Sequence, residues 1–115
     1  MGEAADGQEA VKLAQALDPG VAILDLSMLQ LSGMDAALEI KQLCPRTQLI
    51  LQTVHPESHE VVMALRAGIR GYVAKTESAK DLVRAVADVS CGRVFVSPSA
   101  SRVVVDEYLR NPATS

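Results

Sequence analysis

Three short apolar segments, starting at Val21, Gln48 and Gly71, alternate with stretches of helical periodicity, and this alternation limits the possible folds more than any other feature of the chain. The segments Val21–Leu26, Gln48–Thr53 and Gly71–Lys75 are rich in Val, Ile and Leu, the composition of strands buried on both faces. Around them, Ala10, Leu13, Ala14 and Leu17 fall at i, i+3, i+4 and i+7, and Asp18-Pro19-Gly20 stops that helix. Ala37, Ile40 and Cys44 line one face of a second helix, which Pro45 ends. Val61, Leu65 and Gly68 mark a third, with Gly68 as its C-terminal cap. Ser78 to Asp81 reads as a capping-box variant ahead of Leu82, Val86 and Val89, and Gly92 closes that fourth helix. Strands alternating with helices predict a parallel sheet covered on both faces through right-handed crossovers. RVFV (Arg93–Val96) adds a short strand, Pro98 opens a terminal helix through Leu109, and the tail NPATS is expected to fray.

At 115 residues, 49% of them apolar, the chain suits one ordered domain with a modest core. With one Phe, two Tyr and no Trp, that core is built from Val, Leu, Ile and Ala. A net charge of −3 without a basic run argues against nucleic acid or an anionic membrane as the main partner. No apolar run reaches the roughly 20 residues of a membrane span, and the acidic start MGEAADGQEA is unlike a signal peptide. Cys44 and Cys91 fit no metal spacing, so reduced, buried thiols in a cytoplasmic protein are expected.

In an open parallel sheet, ligands bind outside the carboxyl ends of the strands. Those ends read Asp25, Thr53 and Lys75: a carboxylate, a hydroxyl and an ammonium. Taken singly, each has an ordinary explanation. A lone Asp after a strand is a turn or cap residue, Thr is a strand former, and Lys is a solvated end. Together they suit phosphoryl chemistry, with the carboxylate as nucleophile and the other two groups on the phosphoryl oxygens.

The pieces GEAADGQEAV, ILDLSM with LSGMDA, ILQTVH, and ALRAGIRGYVAK ahead of the capped helix resemble the receiver domains of two-component response regulators, particularly those of LuxR-type regulators. The resemblance runs from Gly2 to about Pro98. It implies that Asp25 is the phosphoacceptor, Thr53 the switch hydroxyl, Lys75 the phosphate-sensing lysine and Tyr72 the aromatic that reports activation. A histidine kinase is the implied partner. In the family, a strand and a helix precede the position of Met1, and that strand ends in the acidic pair that holds Mg²⁺. Here Gly2-Glu3-Ala4 is what remains of the next strand, and Glu3 and Asp6 fall at the start of the first helix, too far to replace the pair. Leu29 stands after Met28 where the family usually has Pro, and no helix-turn-helix follows Ser97.

The expected fold is therefore α/β: a three-layer, parallel-sheet remnant of a receiver (flavodoxin-like) fold lacking its first strand and helix. Residues 1–97 would form the truncated receiver, and 98–115 a linker helix and tail. The expected function is a non-enzymatic receiver with no resident cofactor and impaired phosphotransfer. In the family's strand order the missing first strand lies beside Val21–Leu26, leaving an open apolar edge. A homodimer through that vacated side is expected, with the segment after Gly92 contributing. The alternative is a self-associating pseudo-receiver. More remote is a hydrolase recruiting His55, Ser58 or Cys91 beside Asp25.

Overall fold

The computed structural model describes residues 7–17, 20–26, 33–75 and 79–110. Along the chain these form α1 (Gly7–Leu17), β1 (Val21–Asp25), α2 (Gly33–Leu43), β2 (Gln48–Thr53), α3 (Ser58–Arg66), β3 (Gly71–Ala74), α4 (Ala79–Ser90), β4 (Phe95–Val96) and α5 (Pro98–Arg110). All strand pairings are parallel, in the order β1-β2-β3-β4. The strand that ends in Asp25 is thus an edge of the sheet among the described residues, as the sequence predicts. Gly2-Glu3-Ala4, Asp6, Asp18-Pro19, Met28, Leu29, Ser78 and the NPATS tail lie outside the described residues.

Alternation along the strands divides the core between two faces. On one, Leu24, Leu49, Leu51 and Tyr72 meet Ala10 and Ala14 of α1, Ala36 and Ile40 of α2, Val61 and Ala64 of α3 and Ala100 of α5. On the other, Ile50 and Val73 meet Ala85 and Val89 of α4, with Val21 and Phe95 packed alongside. The architecture is a three-layer α/β sandwich, four helices against one. Leu49, Ile50 and Leu51 are each fully buried, and such a side chain contributes about 1.5–3 kcal/mol relative to exposure. Helix α3 ends as its sequence dictates: Gly68, at φ +91°, adopts the left-handed conformation. That turn lets Gly68 N–H reach Leu65 O and Ile69 N–H reach Ala64 O.

Three details differ from the sequence reading. Leu17 is 54% exposed while Val11 is buried, because α1 packs along α2 and its inward face turns toward that helix. Leu65 is likewise exposed, and Ala64 takes its place in the core. The crossovers are not all of one hand: β1–α2–β2, β2–α3–β3 and β3–α4–β4 step across the sheet in the same direction, yet α4 lies on the opposite face from α2 and α3. A two-residue β4 has little twist through which the usual preference could act.

Candidate functional site

Parallel strands bring their carboxyl ends to one end of the sheet, and Asp25, Thr53 and Lys75 all lie at that end. Asp25 is the last residue of β1 and pairs in register with Gln52, while Thr53 ends β2 beside Ala74. Lys75 follows directly after β3, with its N–H donating to Thr53 O at 2.6 Å. Asp25 continues the parity of Val21, and Lys75 that of Val73, so both leave the sheet on the α4 side. There Lys75 Nζ donates to Asp25 Oδ2 at 2.6 Å, bridging across the end of β2. The side chains are 38% and 18% exposed, so the pair is open to a ligand from solvent. Thr53 has the parity of Leu49 and Leu51, and its buried side chain belongs to the other face, the one that holds Tyr72.

Tyr72 is fully buried, and its hydroxyl donates to Glu60 Oε1 of α3 at 3.4 Å. Burial pushes the phenol well above its ordinary range, and the negative charges of Glu60 and Glu57 push in the same direction. Glu60 is a partner that sequence reasoning missed. So is Ser97, fully buried between β4 and α5, whose Oγ accepts the Ala74 N–H at 3.1 Å. Neither belongs to a recognisable motif. In Ser97-Pro98 the sequence shows a helix start, but nothing in it points to a bond with β3.

Mg²⁺ prefers octahedral oxygen ligation, including carboxylates. Among the described residues no three His, Cys, Asp or Glu side chains stand where they could share a metal ion. The Oδ2 of Asp25 already faces an ammonium. These residues do not fit the ion that the family resemblance implies. The groups considered for hydrolysis sit on different elements. Exposed His55 and half-buried Ser58 lie in the β2–α3 connection and at the start of α3. His59 sits 3.5 Å from Glu57 with both side chains in solvent. Cys91, exposed where a buried thiol is expected, follows α4 in the turn just ahead of β4, and so lies at the amino end of the sheet, away from Asp25.

The family model for the response regulator receiver domain matches residues 1–87. The response regulator protein VraR of Staphylococcus aureus is 38% identical over 98 residues, 85% of this chain and 47% of the relative. The chain thus spans about half the length of the curated relatives it matches. A two-component response regulator of the LuxR family from Aurantimonas sp. SI85-9A1 superposes with a TM-score of 0.85 at 29% identity, covering 95% of this chain and 78% of the other. The isolated REC domain of RcsB from Salmonella enterica serovar Typhimurium, solved with the phosphomimetic BeF₃⁻, gives 0.74 at 28% identity, covering 86% and 74%.

Proposed function

The chain belongs to the response regulator receiver domain family, in its LuxR-type branch, and we propose that Asp25 is its phosphoacceptor. One observation carries this reading: Lys75 Nζ stands 2.6 Å from the carboxylate at the carboxyl end of a parallel sheet. The donor is the phosphohistidine of a histidine kinase. A carboxylate oxygen of Asp25 attacks the phosphorus, the P–N bond breaks, and its electron pair stays with the imidazole of the donor. Lys75 then exchanges one negative partner for another, pairing with oxygens of the new acyl phosphate. Thr53 and Tyr72 take the switch roles that the resemblance assigns them.

Transfer is slow in this reading, because among the described residues no acidic cluster stands at Asp25 to hold a dication beside the Lys75 ammonium. The domain acts as a phosphate-accepting signalling module, not an enzyme, on the cytoplasmic side where such kinases present their phosphohistidine. Among the described residues no helix is long and apolar enough to cross a membrane. Incubation with acetyl phosphate followed by intact mass tests the proposal. The expected result is a single phosphoryl adduct that Asp25→Asn abolishes and Lys75→Ala slows. No adduct on the parent chain, or one that survives Asp25→Asn, would overturn it.

A second reading rests on the edge strand β1. Its residue Ile23 is 41% exposed on the face beside α4, which favours a non-catalytic, self-associating role. The two readings are compatible if the dimer leaves the carboxyl ends of the strands open.

A further inference from the structure

Ser97 has an unusual double role at the boundary between sheet and helix. Its N–H continues the β3–β4 ladder by donating to Tyr72 O at 3.0 Å. In an uninterrupted parallel ladder its carbonyl would next accept the Ala74 N–H. That carbonyl instead accepts the Ser101 N–H at 2.8 Å and starts α5. The Ala74 N–H is taken by the Ser97 hydroxyl oxygen at 3.1 Å. Backbone and side chain have divided the work, one opening the helix and the other completing the sheet. The residue is fully buried, so water does not replace the hydroxyl.

The strand end held in this way is the one that carries Lys75. On the β2 side, Lys75 N–H is bound to Thr53 O, and its ammonium reaches Asp25. On the β4 side, the adjacent residue, Ala74, is bound to Ser97. Helix α5 is anchored from the same place: Ser101 Oγ donates to Val96 O, and Ala100 and Val104 join the core that contains Tyr72. We propose that Ser97 is the positioning residue through which the pairing state of Lys75 and Asp25 reaches α5. Any event that releases or redirects the ammonium changes the pull on the end of β3. Ser97 passes that change to the first turn of the helix. This coupling runs through the geometry of the pair and does not depend on Asp25 accepting phosphate.

The test is amide hydrogen exchange, residue by residue, in variants of the whole chain without any phosphodonor. Asp25→Ala should speed exchange at Ala74 and at Val103 to Val105 by about threefold or more, the scale of ordinary intramolecular coupling, and leave α1 unchanged. In a Ser97→Ala background the same substitution should have no further effect on α5. In a Ser101→Ala background, which loosens α5 but keeps the bond to Ala74, its effect should persist. An equal response to Asp25→Ala with and without the Ser97 hydroxyl would overturn the proposal, as would an equal acceleration in α1. If Ser97→Ala does not fold, the single variant still decides: a response in α5 without one at Ala74 rules Ser97 out as the joint.

Discussion

A lysine ammonium 2.6 Å from a carboxylate oxygen already supplies Asp25 with a local positive charge. With both side chains partly solvated, the pair contributes no more than about 1 kcal/mol to stability. Lys75→Ala should therefore leave the melting temperature nearly unchanged. Millimolar Mg²⁺ should not raise that temperature either, since the described residues around Asp25 offer too few ligands. A clear rise that Asp25→Asn removes would show a metal site. Tyr72 presents the opposite case, a group buried for the fold whose titration is open to measurement. Its phenol is held above the ordinary 10.0, first by burial and then by Glu60. The sign follows directly: the folded state resists ionisation, so the contribution is fully present below the unfolded value and is lost as pH rises beyond it. Urea unfolding should thus show stability falling steeply above pH 10.0 in the parent chain and less so in Tyr72→Phe. In Tyr108→Phe, where Tyr72 is the remaining tyrosine, Glu60→Ala should bring phenolate absorbance to lower pH. Absorbance unmoved by Glu60→Ala would remove Glu60 from the account.

Among the described glycines, the tightest approach between elements is at Gly71. A Cβ built there would lie 2.7 Å from Ile50 Cγ1 and 3.1 Å from Ile50 Cα, inside the β2–β3 pair. Gly71→Ala should cost about 1–3 kcal/mol, the range of core overpacking. Ile50→Ala removes Cγ1, so the double variant should lose less than the sum of the singles, measured by denaturant unfolding. Additive losses would mean that the strands separate instead of colliding. Some of this level was legible in the sequence. β1, β2 and β3 announced themselves as apolar runs, and Gly68 and Gly92 as caps with positive φ, because those signals are local. On α1 the period placed Ala10 and Ala14 in the core, but Leu17 and Val11 are sorted by a neighbouring helix and not by period alone. The hand of the last crossover was hidden for a similar reason: only the packing of α4 against Ile50 and Val73 sets it. At the strand ends, the order read from the sequence brings Asp25 and Lys75 together while parity sends Thr53 to the other face, and the contacts of Glu60 and Ser97 join distant parts of the chain that no local pattern marks.

The two edges of the described sheet differ in their need for a partner. β4 pairs over two residues and leads straight into α5, which packs against α3 and β3. The segment after Gly92, expected to contribute to a dimer through the vacated side, pairs within one chain with β3 at the opposite edge. β1 offers five residues, VAILD, along an edge with Ile23 substantially exposed. An apolar edge of that length is an association site unless covered, and the commonest closed solution is a twofold. Antiparallel pairing of β1 with its copy about Ile23 would join two sheets into one and bury Ile23 against its counterpart, adding face-to-face burial beside α4. A specific interface needs roughly 1,000 Å² or more, so backbone pairing alone would be insufficient and the neighbouring apolar face must take part. The chain should therefore run as a dimer in light scattering at micromolar concentration. Ile23→Lys is tolerated by one copy, whose position 23 is already open to solvent, but sets two ammonium groups against each other across the axis. It should give a folded monomer. α5 carries a rival surface in Val105, Tyr108 and Leu109, all more than half exposed. Leu109→Lys should leave the dimer intact if β1 forms the interface and dissolve it if α5 does. A parent chain that is already a folded monomer would exclude both surfaces, and β1 would then be an edge that a single copy tolerates in solution.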